Sequence, residues 1–484
     1  MNRFFRYFQQ SKMKQLSRFQ NRILAWPWFS PALFGVLILL VYGRGLRLGF
    51  VRDDFELIHS LRDISFWDTV PFWRPLWRLW LGLLYESFGF RPVAFHFASL
   101  ALHGLNACLA FSILTGAGVK RRAALLGVCL WIVMAGNAYA AVWISECNDL
   151  LACFFLLLAT RIWIALIRCR TKRFSLGVFA CLCWLLSMLA KEVGLLWPLA
   201  AASALFFVLR HSPANSSQRG LRGFAIGLPL ISYGFYFGLK LIAHGASAGM
   251  HTLVEPGRGT HLSGSSVPVI LIGRLVHYGE GVLYSVLPLD LFPSWGTLLA
   301  GVLVFAVLAA FWIREWKQGN RRTGLLFALL GWTLFFSLHA SVVPHPRTLY
   351  IPTLGTAAII GILFDAAWER KRSLPGVIGI VFALYFLMHV GLGQRVVHRL
   401  SPNYHQNLVR AAESLVENFA LKDPPPEIHD RHLYHLKRSY LQQRLRHKDP
   451  EQLIRQGFDR DNCWRKFLRS GFTKAFGTER TKGE

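Results

Sequence analysis

None of the eight cysteines lies in a Cys-x-x-Cys pair or at zinc-site spacing. Cys181 and Cys183 are too close in sequence for an ordinary disulfide. This excludes a zinc module and a disulfide-stapled scaffold, and leaves the thiols as small buried hydrophobes. There is no internal repeat of solenoid period. The one biased tract is Pro424-Pro425-Pro426, which reads as a stiff linker. No small-residue cleavage site follows the first apolar run, so that run is expected to stay as an anchor. Acids are scarce, 26 Asp and Glu against 54 Lys and Arg, and the head 1–22 has none at all.

What is present is apolar. Hydrophobic residues make up 53% of the 484 and come in blocks of about 17–25, the length that spans a bilayer. The expected fold class is therefore all-α: a polytopic membrane protein with about 11 transmembrane helices and surface-lying helices in the outer loops. The spans read at about 23–43, 93–117, 123–142, 148–167, 174–190, 192–209, 223–243, 297–313, 323–340, 349–367 and 374–392. This divides the chain into a basic head (1–22), a transmembrane domain (23–392) and a basic tail (393–484).

The connections alternate in character. Lys120-Arg121-Arg122, Arg168 to Arg173, Arg210 to Arg222, Arg314 to Arg322 and Arg370-Lys371-Arg372 are basic, like the head. The positive-inside rule places them in the cytoplasm. The net charge of +28 is then a matter of topology and anionic headgroups, and calls for no nucleic acid. Eleven strictly alternating spans put the tail on the outer face.

The opposite connections carry mixed charge. Asp53 and Asp54 follow the first span, where charge is costly and usually functional. The same outer loop, about 44–92, holds Glu56, Arg74 and several tryptophans, with a surface helix expected over 76–88. Further outer segments hold Glu146 and Asp149, Lys191 and Glu192, Arg274, and Arg347 with Tyr350. Such cations bind phosphate. Such carboxylates deprotonate an acceptor hydroxyl or amine, or hold a divalent metal. Plainer roles stay open for each: an Arg52–Asp53 interfacial pair, helix-end chemistry at Glu146 and Asp149, a turn pair at Lys191–Glu192, and packing for His96 and His103.

The motif order is distinctive. Asp53-Asp54-Phe55 comes first, then Arg74-Pro75-Leu76, then Phe88-Gly89-Phe90-Arg91-Pro92 with His96 and His103-x-x-Asn106. Trp143-Ile144-Ser145 with Asn148-Asp149-Leu150-Leu151, Lys191-Glu192-x-Gly194 and Arg347-x-x-Tyr350-Ile351-Pro352-x-x-Gly355 follow. Over roughly 25–395 this resembles the GT-C membrane glycosyltransferases, among them protein O-mannosyltransferases, tetratricopeptide-bearing mannosyltransferases and lipid A aminoarabinose transferases. The resemblance implies inverting transfer of a sugar from a polyprenyl-phosphate donor to a lipid, glycan or protein acceptor on the outer face. A bacterial inner membrane is the expected setting.

It implies Asp53, Asp54 and Asp149 as catalytic acids, with Asp53 as base or metal-organising carboxylate. Arg74, Lys191, Arg347 and Arg274 are the expected donor-phosphate ligands. Glu56, Glu192, His96 and Tyr350 are expected to bind substrate. A divalent cation, Mg or Mn, would sit at Asp53 and Asp149. Relatives often carry His-Pro and a Glu before the Trp143 region, whereas this chain has Gly136-Asn137-Ala138-Tyr139-Ala140-Ala141. No tetratricopeptide pattern appears in the tail. A non-enzymatic transporter or an inactive scaffold in envelope glycan assembly is the other reading. Paired half-repeats, which transporters usually show, are absent from the sequence.

Overall fold

The computed structural model describes residues 27–50, 54, 57, 73–89, 91–168, 174–197, 230–242, 321–338, 346–370 and 375–399. Among these every regular element is helical. Four helices are long and apolar enough to cross a membrane, Phe29–Arg47, Pro92–Gly116, Ile144–Leu166 and Gly379–His398. Phe174–Ala190, Leu230–Ile242, Ala328–Ser337 and Pro352–Trp368 are shorter apolar helices. Of the other expected spans, 123–142 is described but broken, 192–209 is described only as far as 197, and 297–313 lies outside the described residues.

Helix α1 (Phe29–Tyr42) runs on through a 3-10 turn, Gly43–Arg47. Helix α2 (Pro75–Phe88) forms where a helix was expected over 76–88. Proline at its first turn needs no hydrogen-bond donor there. Gly89, at φ 62°, ends it in a backbone conformation that side chains disfavour. Helix α3 (Pro92–Gly116) starts on a second such proline.

The expected span 123–142 is broken. Helix α4 (Arg121–Val133) stops, and α5 (Asn137–Val142) restarts after three residues. In an apolar interior a broken helix needs partners for its freed carbonyls and amides. Asn137 Nδ2 donates to the Trp131 carbonyl at 2.5 Å, and the Tyr42 hydroxyl donates to the Ile132 carbonyl at 2.7 Å. The Ala135 amide donates to His389 Nδ1 at 3.3 Å, and Thr353 Oγ1 donates to Asn137 Oδ1 at 3.0 Å. Partners on four elements thus hold the break, and none of them is adjacent in sequence except Asn137.

Helix α6 (Cys147–Arg168) and α7 (Phe174–Ala190) form an antiparallel hairpin, in which Ser187 Oγ donates to the Ala152 carbonyl at 2.8 Å. After α7 the chain makes a 3-10 turn, Glu192–Leu196, where a long helix was expected from 192. Helix α8 (Leu230–Ile242) packs near this turn, with the Tyr233 hydroxyl donating to the Leu195 carbonyl. Helix α9 (Arg321–Ser337), α10 (Pro352–Arg370) and α11 (Pro375–Arg399) complete the described fold. Helix α11 continues through the expected boundary at 392.

Small residues set the tightest helix contact. A Cβ on Gly361 of α10 would meet the Ala123 carbonyl and the Gly127 amide of α4, each at 2.6 Å. Close backbone approach of this kind is how helices pack where lipid removes the hydrophobic drive. The outward faces of α1, α7, α8 and α11 are apolar and exposed, with Leu40, Phe174, Phe235 and Leu384 among them.

Arg121 and Arg122 lie at the end of the bundle that holds the start of α1 and the end of α10. Arg121 donates to Ser30 Oγ near the start of α1, and Arg122 pairs with Asp365 near the end of α10 at 2.5 Å. The Arg122 guanidinium also lies 5.7 Å from the centre of the Trp368 ring. Asp54, the start of α6 and the end of α7 lie at the other end.

Candidate active site

Three separate stretches of chain at that other end deliver the charged residues. Trp143 is extended, a 3-10 turn covers Ile144–Glu146, and α6 starts at Cys147. A helix start leaves its first amides without partners. Asp54, nearly a hundred residues upstream, supplies one, its Oδ1 accepting from the Ser145 amide at 2.8 Å. Asp54 is completely buried. Asp53 and Glu56 lie outside the described residues.

Lys191 is the extended residue between α7 and its 3-10 turn, at φ −160° and ψ 145°. Successive side chains of an extended chain point to opposite sides. Lys191 Nζ accordingly reaches Asp149 Oδ2 at 2.5 Å and Glu146 Oε2 at 3.8 Å. Its neighbour Glu192 takes Arg74 instead, Arg74 Nη2 donating to Oε2 at 2.8 Å and Nε at 3.0 Å. Gly194 lets the turn lie against α7, because a Cβ there would meet Ser187 Oγ at 2.9 Å and the Met188 amide at 3.0 Å.

The two pairs form one field. Burial works against the Arg74 charge, but Glu192, with Glu146 and Asp149 behind it, holds the guanidinium above the ordinary arginine range. Side-chain exposure is 4% for Lys191, 2% for Asp149, 11% for Arg74 and 20% for Glu192, so the Lys191 pair is the deeper one. Screening by water is correspondingly weaker there. Trp73, beside Arg74, packs on Tyr236 of α8 with ring centres 5.6 Å apart.

The structure thus brings together Asp54, Arg74, Asp149, Lys191 and Glu192 from the expected set. It adds Glu146, one turn before Asp149, which stood among the outer-segment carboxylates but outside the expected catalytic set. Tyr236 was missed, and a tyrosine within an apolar helix offers no signal that could have found it. His96 is buried beside the Gly49 carbonyl, 3.4 Å from Nε2. Tyr350 is wholly buried in a packing hub. Its hydroxyl lies 2.7 Å from His103 Nδ1 and accepts from Asn106 Nδ2 at 3.2 Å, while Trp131 Nε1 donates to its carbonyl at 3.0 Å. Arg347 sits on the 3-10 turn Pro346–Leu349, but its side chain and all of Arg274 are outside the described residues.

The expected metal pair, Asp53 and Asp149, meets a specific difficulty at Asp149. Lys191 Nζ stands between Asp149 and Glu146, where a cation shared by those carboxylates would stand. Among the described residues no three His, Cys, Asp or Glu side chains form a group able to hold a metal ion. Asp53, the other half of the expected pair, lies outside the described residues.

No protein-family model and no curated protein sequence matches the chain. Among solved structures it is similar to the oligosaccharyltransferase AglB of Archaeoglobus fulgidus, in complex with an inhibitory peptide and a dolichol-phosphate. That match has a TM-score of 0.49 at 13% identity, over 83% of this chain and 60% of the archaeal one. The same archaeal enzyme in complex with zinc and sulfate gives 0.45 at 12% identity, over 82% and 57%. ArnT from Cupriavidus metallidurans, bound to undecaprenyl phosphate, gives 0.47 at 14% identity, over 88% of each chain. The chain thus spans less than two thirds of the archaeal enzyme's length.

Proposed function

We propose that this protein is a GT-C-type membrane glycosyltransferase. It moves a sugar from a polyprenyl-phosphate donor to an acceptor on the outer face of a bacterial inner membrane, with inversion at the sugar carbon. The observation that carries this reading is the buried set of Asp149, Glu146, Lys191, Arg74 and Glu192. Three separate sequence motifs converge in it, at the end of the bundle opposite Arg121 and Arg122.

The chemistry asks little of the protein. Phosphate is already a good leaving group, so its departure needs cationic donors more than a strong acid. Lys191 and Arg74 supply the charge, with Arg347 and Arg274 assigned to the same task. Both described cations are paired with carboxylates, so a donor phosphate competes with Asp149 and Glu192 for them. The arriving anion thereby loosens two carboxylates at the moment the acceptor must lose a proton. Asp53 is assigned as the base that takes this proton from a hydroxyl or amine. Asp54 holds the start of α6, and so the position of Asp149. No step is routed through a metal.

The stretch 136–141, which lacks the acid of its relatives, has a structural use here. Asn137 spends both ends of its amide on the helix break. Its divergence therefore does not by itself favour the inactive-scaffold reading.

The test is transfer by the purified protein in liposomes, using undecaprenyl-phosphate sugars as donors and the lipid extract of the host as acceptor source. Turnover that disappears in Asp53→Asn, with the melting temperature unchanged, supports the assignment. Undiminished turnover in that variant removes it.

A further inference from the structure

Two polar atoms beside the ion pairs have no partner among the described residues. Ser145 Oγ and Asn148 Oδ1 are both buried and make no hydrogen bond there. The residues are 6% and 2% exposed. Buried polar atoms in folded proteins are nearly always satisfied, so such exceptions ask for a partner.

Their surroundings are fixed. The Ser145 amide is bound to Asp54, and Asn148 Nδ2 donates to the Ser145 carbonyl at 3.3 Å. The second contact sets the orientation of the amide, because the reversed amide would put two oxygens together. The free end of Asn148 is therefore an acceptor. Ser145 offers a hydroxyl that both donates and accepts. Ser145, Asn148 and Asp149 stand at i, i+3 and i+4 where the 3-10 turn passes into α6, which places them on one helix face.

A sugar hydroxyl, like a water molecule, both donates to Asn148 and accepts from Ser145. A phosphate oxygen would face the Asn148 carbonyl oxygen unfavourably, and a polyprenyl chain would leave both atoms unsatisfied. We infer that Ser145 and Asn148 form a subsite for a hydroxyl of the donor sugar, on the same helix face as Asp149. This rests on the glycosyltransferase reading and adds to it the residues that recognise the sugar. The phosphate is held by the cations, so the two parts of the donor are read separately.

Ser145→Ala is the informative variant, because it deletes an atom that makes no hydrogen bond among the described residues. A purely structural residue loses stability on truncation. Here the melting temperature should hold or rise, as when an unsatisfied polar atom is removed from a functional site. The probes are undecaprenyl phosphate and undecaprenyl phosphate carrying glucose, galactose or mannose, with binding followed by intrinsic tryptophan fluorescence in detergent.

The wild type should bind one of the sugar-bearing lipids more tightly than the bare lipid. Ser145→Ala and Asn148→Ala should each reduce that gain about tenfold, the scale of one lost hydrogen bond, with bare-lipid affinity unchanged. Ser145→Thr, which keeps the hydroxyl, should restore it. A gain that survives in Ser145→Ala overturns the subsite, as does an equal loss for bare and sugar-bearing lipids. If the gain is intact but falls on addition of a free monosaccharide, the hydroxyl belongs to an acceptor and the donor assignment is overturned. If the wild type binds no lipid phosphate at all, the glycosyltransferase reading itself fails, and the subsite with it.

Discussion

Lys191 Nζ lies 2.5 Å from Asp149 Oδ2, and both side chains are almost completely buried. Asp149 lies in the first turn of α6, and Lys191 is the extended residue that follows α7. Breaking such a pair strands a charge where water cannot reach it. Lys191→Met or Asp149→Leu alone should therefore cost about 3–5 kcal/mol of stability, and the double variant should recover most of it. Thermal unfolding in detergent measures the cycle. Transfer activity should stay absent in the double variant, because the phosphate ligand is gone. Additive losses would mean that the pair is not coupled.

Asp54 and its neighbour should separate by phenotype. Asp54→Asn keeps an oxygen that can accept from the Ser145 amide, so the fold should hold. Asp54→Leu leaves that amide buried without a partner and should lose about 1–3 kcal/mol. Asp53→Asn should behave in the opposite sense, with stability kept and turnover lost. Melting curves and a transfer assay on the three variants decide it.

The contact of α4 with α10 has no room for side chains at Gly361. Gly361→Val should prevent correct packing and leave little protein in the membrane fraction. At Gly35 of α1, by contrast, an added Cβ would meet nothing within 4 Å. Gly35→Ala should be neutral or stabilising by about 0.5–1 kcal/mol, since alanine favours helix. Size-exclusion profiles of the two variants provide the comparison.

Topology is accessible to labelling. Ser87 and Lys120 are both exposed, the first near the end of α2 and the second just before α4. In intact cells Ser87→Cys should react with a membrane-impermeant maleimide, and Lys120→Cys should react only after lysis. The reverse pattern would invert the orientation and place the site in the cytoplasm.

The helix break depends on Asn137. Asn137→Leu removes the donor to the Trp131 carbonyl and should destabilise by about 1–3 kcal/mol. Asn137→Asp would set a buried carboxylate against the Trp131 carbonyl and should cost at least as much as leucine. Chemical denaturation of the wild type and both variants ranks them.

Much of the architecture follows from composition. A run of apolar residues long enough for a bilayer must be helical there, since no water satisfies the backbone. The chain therefore announces its helices. Local chemistry marks several boundaries as well: Pro75 and Pro92 at helix starts, and Gly89 at a helix end. The charged residues of the site stand out for the same reason, because a carboxylate or ammonium beside an apolar run has to be compensated.

What the sequence does not determine is who compensates whom. Lys191 and Glu192 are adjacent and opposite in charge, and read as a pair with each other. The extended backbone at Lys191 sends them apart, one to Asp149 and one to Arg74. Asp54 stands beside Asp53 in sequence, yet its carboxylate is spent on an amide at the start of α6. The break in α4 carries no proline, and its partners come from α1, α10 and α11. Apolar length and charge are properties of a segment, so the chain itself carries them. Ion-pair partners, helix breaks and an unsatisfied Ser145–Asn148 edge depend on distances between segments, and only the packed structure sets those.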